Sequence, residues 1–327
     1  MISVALCTYN GKSYVEEQVR SILSQTMPVD EIVVCDDGST DGTVAVVEGL
    51  SDSARATIRV YRNNESLGVV GNFSKAASLC NGDIIFFADQ DDRWHPDKVA
   101  TTVDYLDRHP NIEVVFTDAL IIDSAGGHLP AYGNLFQMTF QQEERRMYFA
   151  GLELESFLAR NHATGATMAV RKRFLDKAEP FKLCTKQILH DYALALRAAE
   201  LGVLGVIKKP LIDYRRHEKG QTVFEIPVEG KASKWHTYYD HLRELWPNGD
   251  VAEIKHLLDA NHTAERIDYI TTRNRNLHKP SAPLRIPFSW RKYRHLYGNR
   301  WLQVMRYDIT QCMRFTALRL SRQTPQQ

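Results

Sequence analysis

The sequence predicts an α/β protein built on a doubly wound, mostly parallel sheet with a C-terminal helical extension. Three observations predict it. Short apolar runs alternate with stretches of helical periodicity from residue 1 to about 120. Two of the runs, Ile32-Val33-Val34-Cys35 and Ile84-Ile85-Phe86-Phe87-Ala88, end in acidic turns, Asp36-Asp37-Gly38-Ser39-Thr40-Asp41-Gly42 and Asp89-Gln90-Asp91-Asp92-Arg93-Trp94. Such runs suit buried parallel strands that deliver polar groups to one sheet edge, where open α/β sheets bind ligands. Finally, β signals cease between Lys219 and Lys231, and the remainder of the chain reads as helical. The expected division is a catalytic domain over 1–225 and a helical extension over 226–327.

Taken in order, a strand at 2–7 precedes a helix over about 13–25, where Val15, Val19, Ile22 and Leu23 recur at helical spacing. A strand at 32–35 leads to a helix from Thr43, with Ser39, Thr40 and Asp41 all offering N-cap chemistry. The strand 58–61 ends in Asn63-Asn64-Glu65-Ser66, and a helix near 71–80 stops at Asn81-Gly82. After the strand at 84–88, Pro96 suits the first turn of a helix reaching Arg108, which His109-Pro110 ends before the strand 114–117. Beyond 125 the alternation loosens, with a loop-rich stretch expected at 124–150. Helices are expected at 151–160 and 188–201, and strands at 166–170 and 203–207.

The hydrophobic and charged fractions, 43% and 25%, are those of an ordinary soluble chain. Five scattered cysteines without a Cys-x-x-Cys pair fit a reducing compartment. The chain opens on a strand-like run with no basic n-region, and no apolar stretch reaches the roughly 18 residues of a spanning helix. A cytoplasmic protein is therefore expected. Twelve histidines show neither His-x-His nor His-Glu-x-x-His spacing, which disfavours a zinc hydrolase. The first strand is followed by neither Gly-x-Gly-x-x-Gly nor Gly-Lys-Ser/Thr.

Thr8-Tyr9-Asn10-Gly11 and Asp36-Asp37 together would form one wall of a nucleotide pocket. A tyrosine ring stacks on a base, and a carboxylate accepts from a ring N–H or a ribose hydroxyl. Either segment is equally explained, taken alone, as a tight turn and a helix cap. Asp89-x-Asp91 suits a hard cation, Mg²⁺ or Mn²⁺, which takes one or two carboxylates plus substrate phosphates. Asp91 is the better direct ligand and Asp89 the better water-mediated or ribose contact, although Asp91 and Asp92 also fit as caps of the following helix.

The order and spacing of Cys7-Thr8-Tyr9-Asn10-Gly11, Asp36 to Thr43 and Asp89 to Pro96 resemble the family 2 glycosyltransferases, nucleotide-sugar-dependent enzymes with a Rossmann-like GT-A fold. Further motifs extend the resemblance to about residue 222, among them Asn64 to Phe73, which in that family borders the nucleotide. The resemblance implies that Tyr9 and Asp37 contact the base, that Thr8, Asn10 and Asn72 shape its pocket, and that Asp91 binds the metal bridging the diphosphate. It places the general base in the His190-Asp191 pair, at Asp191, and implies inversion by one direct displacement. Asp89-Gln90-Asp91-Asp92-Arg93-Trp94, Asn161 to Met168, Leu189-His190-Asp191 and Tyr214-Arg215-Arg216-His217 look closest to the rhamnosyltransferase-like branch of surface-polysaccharide assembly. On that resemblance Trp94, Thr164, Gly165 and His190 belong to the acceptor or sugar wall. Arg215 and Arg216 would neutralise the diphosphate, and His217 would complete the metal shell or assist the phosphate. The Gln-x-x-Arg-Trp signature of processive synthases is missing, so one sugar or a few would be added.

From Arg285 to Gln327 nine Lys/Arg face the single acid Asp308, with Phe288, Trp290, Tyr293, Tyr297, Trp301, Tyr307 and Phe315 interleaved. A basic, aromatic helical segment of this kind suits the surface of an anionic membrane, on its inner face, where a polyprenyl-diphosphate-linked glycan acceptor would lie. It equally suits a subdomain whose aromatics pack inward. No recognised module makes it a nucleic-acid binder. The expected function is transfer of a sugar, rhamnose from dTDP-rhamnose, to such an acceptor. The rival readings are the same chemistry with a UDP-hexose, a non-catalytic nucleotide-sugar or glycan-binding module, and a nucleotidyltransferase.

Overall fold

The computed structural model describes residues 1–51, 54–140, 142–217, 257–258, 265 and 294–311. Its element order begins β1 (Ile2–Thr8), α1 (Val15–Leu23), β2 (Glu31–Asp36), α2 (Thr43–Ser51), β3 (Thr57–Arg62), α3 (Gly68–Leu79), β4 (Ile84–Asp89), β5 (Arg93–Trp94), α4 (Lys98–Arg108) and β6 (Val114–Ile122). It continues through α5 (Leu135–Thr139), α6 (Gln142–Phe149), α7 (Glu153–Ala159), β7 (Met168–Arg171), α8 (Lys172–Ala178), α9 (His190–Leu201) and β8 (Leu204–Arg215).

The strands form one 8-stranded sheet in the order β3-β2-β1-β4-β7-β6-β8-β5. β1 to β4 pair in parallel, with Cys7 level with Cys35 and with Asp89, so the ends of β1, β2 and β4 share one edge. β6 and β8 run in the same direction, whereas β7 and β5 run against it. β1, β2, β4 and β6 are buried on both faces, as their near-continuous Val, Ile and Phe runs require, whereas the edge strand β3 is partly exposed. Val15, Val19 and Ile22 of α1, one stripe at helical spacing, are fully buried in the same core as Val4, Ile32 and Phe86. Each such side chain contributes about 1.5–3 kcal/mol of burial.

The structure departs from the sequence reading in several places: the stretch 124–150, expected to be loop-rich, contains α5 and α6, and β5 and α8 were not expected. The run 166–170 divides into a 3₁₀ turn, Gly165–Thr167, closed by Thr167 N–H to the Thr164 carbonyl at 2.9 Å, and the antiparallel β7. β8 continues to Arg215 past Pro210, which faces Asp118 where the β6–β8 register slips. Proline has no N–H for the ladder, so the irregularity falls there. β6 reaches Ile122, and its bulged Asp118 accepts from the N–H groups of Ala119 and Phe136. α3 begins at Gly68 (φ 66°), three residues early, where the carboxylate of Asp37, just beyond β2, accepts from the N–H groups of Leu67 and Gly68.

Compact units divide the chain as 1–141, 161–198 and 202–228 on one hand, and 142–160, 199–201 and 229–327 on the other. The second therefore takes in α6 and α7 in addition to the expected tail. Within it Tyr297 is buried and donates to Glu155 at 2.9 Å, Arg300 pairs with Glu153, and Val304 and Asp308 are buried in residues 301–311, which are helical. Phe288, Trp290, Tyr293 and Phe315 lie outside the described residues, as does Cys312. Among the described residues no helix is long and apolar enough to cross a membrane.

Candidate active site

The edge shared by β1 and β2 is organised by its own carboxylates. Asp36 accepts from Thr8 Oγ1 (2.8 Å), Ser39 N (2.9 Å) and Ser39 Oγ (2.5 Å). Asp41 caps α2 through Thr43 N (3.0 Å) and also accepts from Lys12 N (3.0 Å), which fastens the turn after β1 to the turn after β2. Asn10, in the left-handed region at φ 48°, donates its N–H to Ser39 Oγ and accepts Thr40 N at 3.0 Å. Thr8 is thus a buried strut of the pocket. Tyr9 is 57% exposed at the same edge, the geometry a stacking platform needs.

Asp37 has a different part from the base contact expected of it. Its two oxygens accept from Leu67 N (2.7 Å), Ser66 Oγ (2.7 Å), Asn63 Nδ2 (2.8 Å) and Gly68 N (3.0 Å). Four donors match the acceptor capacity of a carboxylate, so Asp37 caps α3 from a distance. Burial alone would raise its pKa, but these bonds outweigh burial and hold it below the ordinary value. Asn72 is likewise a support. It is buried, donates to the Cys35 carbonyl at 2.8 Å and accepts from Asn63 at 2.9 Å.

The loop after β4 is anchored at almost every residue. Gln18 holds the Asp89 carbonyl at 2.8 Å, and the Gln90 amide pairs with the main chain of Tyr9. Arg215 Nε holds the Asp91 carbonyl at 2.7 Å, and Arg215 N–H donates to Asp92 Oδ1 at 3.0 Å. The rest of the Arg215 guanidinium reaches the carbonyls of Asp123 and Ser124 and the Glu17 carboxylate (2.5 Å), against the ring of Tyr14. With its side chain 2% exposed, Arg215 is a structural hub, which corrects its assignment to the diphosphate. Arg216 lies over the Tyr132 ring, 4.7 Å from its centroid.

Asp91 and His217 meet: Nε2 of His217 is 2.8 Å from Asp91 Oδ2, and the imidazole packs beside Tyr14 at 4.9 Å. Asp89 is half-buried, and its pKa is raised to about 7, first by burial and then by the charges of Asp91 and Asp191. Asp92 is buried, Oδ2 has no hydrogen-bond partner among the described residues, and burial followed by Asp91 and Asp89 pushes its pKa up. No group of three or more His, Cys, Asp or Glu ligands gathers among the described residues. Two protein ligands, a carboxylate and an imidazole, beside carboxylates that are costly to ionise, nevertheless fit Mg²⁺ or Mn²⁺, which fill their shells with water and phosphate oxygens.

On the acceptor side, α9 opens with His190 and Asp191. His190 is buried, stacked on Phe73 at 4.0 Å, with both ring nitrogens unpartnered among the described residues, and burial lowers its pKa against the opposing Asp191. Gly165 packs so close that a Cβ there would stand 2.5 Å from His190 Nε2. Asp191 is half-buried, and Thr164 turns its carbonyl to Thr167. Trp94 does not face an acceptor. It is 3% exposed, packed on Phe86 and under the Lys98 ammonium, because alternation along β5 sends Arg93 outward and Trp94 into the core.

The sequence reading overlooked Lys98, Asn63, Ser66, Glu17 and Tyr14 and gave Gln90 no role. Lys98 is fully buried, donates to the Ala166 carbonyl at 2.6 Å, and has its pKa pushed down to about 7 by burial, with Asp92 and Asp89 opposing. Nothing local distinguishes it from an exposed first-turn lysine.

Comparisons with known proteins give the family and the fold. dTDP-rhamnosyl transferase RfbG of Shigella flexneri is 28% identical over 268 residues, 77% of this chain and 84% of that protein. The UDP-Glc:alpha-D-GlcNAc-diphosphoundecaprenol beta-1,3-glucosyltransferase WfaP of Escherichia coli is 33% identical over 107 residues, 33% of this chain and 41% of that protein. The crystal structure of S. aureus TarS 1-349 in complex with UDP-GlcNAc matches with a TM-score of 0.55 at 17% identity, covering 98% of this chain and 92% of that one. That likeness carries the fold, which is GT-A. The model of the family described as Glycosyl transferase family 2 matches residues 3–178. Since that match spans more than half of its length, the chain belongs to glycosyl transferase family 2 and is a glycosyltransferase.

Proposed function

We propose that the protein is an inverting, metal-dependent enzyme that moves a sugar from a nucleoside-diphosphate donor to a hydroxyl of a lipid-linked glycan in cell-surface polysaccharide biosynthesis. The observation that carries this reading is the meeting of Asp91 Oδ2, on the loop after β4, with His217 Nε2, just beyond β8, at 2.8 Å, while Asp191 at the start of α9 acts electrostatically on Asp89 of the same loop. One carboxylate is therefore available as a base beside a loop suited to a cation and a diphosphate.

Asp191 takes the proton of the acceptor hydroxyl as its oxygen attacks the anomeric carbon. The bond from that carbon to the diphosphate oxygen breaks, the nucleoside diphosphate leaves, and a single displacement inverts the centre. A divalent cation held by Asp91 and His217 would supply charge neutralisation for the leaving diphosphate. Tyr9 receives the base, while Thr8, Asn10, Asp37 and Asn72 keep its pocket in shape. Thr164, Gly165 and His190 form the acceptor or sugar wall.

RfbG, with 77% of this chain covered, favours dTDP-rhamnose as the donor. WfaP supports a diphosphopolyprenol-linked acceptor and, as the second reading, a UDP-hexose donor. The acceptor would bring the enzyme to the inner face of the cell membrane, with the basic C-terminal segment toward anionic lipid.

The test is a thermal-shift panel of dTDP-, UDP-, GDP- and CDP-sugars with and without Mn²⁺ or Mg²⁺, followed by transfer assays on wild type and Asp191→Asn. A ligand that binds only the native state raises Tm. A metal-dependent shift with dTDP-rhamnose alone supports the rhamnosyl reading, and a preference for UDP-sugars overturns that donor. Asp191→Asn should bind donor normally and lose about 10²–10⁴ in kcat. Unchanged transfer would remove Asp191 from the chemistry.

A further inference from the structure

Gln90 stands between Asp89 and Asp91, yet its side chain turns to another strand. The N–H of Tyr9 donates to Gln90 Oε1 at 2.8 Å, and Gln90 Nε2 donates back to the Tyr9 carbonyl at 2.9 Å. A side-chain amide here makes the reciprocal pair of bonds that two residues exchange across an antiparallel ladder. The fit is close. A Cβ on Gly11 would stand 2.0 Å from Gln90 Oε1 and 2.2 Å from its Cδ. Gly11 is not among the residues with positive φ, so the approach of Gln90 is what requires glycine there.

What the lock fixes is the backbone of an exposed aromatic. At 57% exposure, Tyr9 has little packing to orient its ring. Its orientation comes from the main chain, held on one side by Gln90 and on the other by Asn10 through Ser39 and Thr40. The same Gln90 belongs to the loop that carries Asp91, whose carbonyl and carboxylate are tied to Arg215 and His217.

Resting on the nucleotide-sugar reading above, the geometry points to Gln90 as a positioning residue for nucleobase recognition. Its amide presents the Tyr9 ring for stacking and joins that ring to the loop with the metal ligand. Gln90 touches neither base nor phosphate in this role. It lowers the cost of ordering the tyrosine when the base arrives.

Two variants of the full-length chain displace the amide by independent routes. Gln90→Met keeps length and removes both hydrogen bonds, and Gly11→Ala pushes the amide away with a methyl group. Each is made with Tyr9 intact and with Tyr9→Ala, and affinities for dTDP and UDP are measured by calorimetry with saturating Mn²⁺, beside Tm. Both variants should weaken the preferred nucleotide about fivefold to tenfold when Tyr9 is present. In the Tyr9→Ala protein the same changes should cost under about twofold, because residues acting through one another are not additive. Equal losses in both backgrounds, or wild-type affinity in Gln90→Met while Tyr9→Ala is weakened, would overturn the inference alone. Wild-type protein that binds neither nucleotide would overturn the donor reading and the inference with it.

Discussion

Asp91 and His217 are 126 residues apart in sequence and 2.8 Å apart in space, the carboxylate on the loop after β4 and the imidazole just beyond β8. The packing of His217 beside Tyr14 and the grip of Arg215 on the Asp91 carbonyl hold the pair in place. A cation bound there would replace one hydrogen bond between the two groups with two coordinate bonds. Asp91→Asn and His217→Ala should therefore weaken Mn²⁺ binding, measured by electron paramagnetic resonance, at least as much as the roughly 10–100-fold loss seen when groups merely supporting a metal ligand are removed. Unaltered Mn²⁺ affinity in Asp91→Asn would move the metal elsewhere.

Arg215 separates a structural hub from a phosphate ligand by experiment. Its guanidinium satisfies Asp91, Asp123, Ser124 and Glu17 and is nearly sealed from solvent. Arg215→Ala should lower stability by about 1–3 kcal/mol, the cost of leaving buried carbonyl partners without a donor. Chemical denaturation measures this. A variant of wild-type stability that binds nucleoside diphosphate poorly would return Arg215 to the diphosphate.

How far the sequence disclosed this site depends on the range of the forces involved. β2 and β4 were legible because each is an uninterrupted apolar run with motif carboxylates at its end, β1 because its apolar run stops at the turn Thr8 to Gly11, and β3 because Ile58 and Val60 alternate with Arg59 and Tyr61 before the turn at Asn63. The direction of β7 was not, since three apolar residues and an arginine carry no sign of which way they run. β5 was hidden because its two residues lie inside the acidic motif, and the far half of β8 because Lys208, Lys209 and Pro210 interrupt its apolar pattern. Residue roles failed for a related reason. Asp37 and Arg215 have the residue types of ligand contacts, but partners about 30 and 124 positions away use those groups first. Local spacing can nominate a carboxylate, but only the tertiary bonds decide whether it is still free to bind.

The pH dependence of the metal-free protein should carry the mark of Asp89. Its folded pKa is raised to about 7 from 3.8, by burial first and by Asp91 and Asp191 next. Between those values the folded chain holds a proton that the unfolded chain has released. The stabilisation is thus complete below the unfolded value and lost as pH rises through about 7. Glu31, Asp37 and Asp213 are shifted the other way, so their contributions change below the ordinary carboxylate values, outside this window. The Tm of wild type should fall relative to Asp89→Asn between about pH 4.5 and pH 7.5. Saturating Mn²⁺ should reduce that difference. Parallel Tm curves for the two proteins without metal would show that Asp89 is ionised throughout.

Gly165→Ala tests the acceptor side without touching a charged group. The added methyl would stand 2.5 Å from His190 Nε2, at the edge of a ring stacked on Phe73 at 4.0 Å. To relieve that contact the ring must turn, slide along Phe73 or carry the start of α9 with it, and Asp191 is the next residue. Overpacking of this kind costs about 1–3 kcal/mol, small enough to leave a folded enzyme. A misplacement of about 1 Å in a catalytic group costs on the order of 100-fold in rate. The expected result is a kcat lowered by one to two orders of magnitude, with donor affinity unchanged, since Tyr9 and Asp91 lie on other elements. Loss of donor affinity with kcat preserved would instead put the 164–167 turn on the donor side of the site.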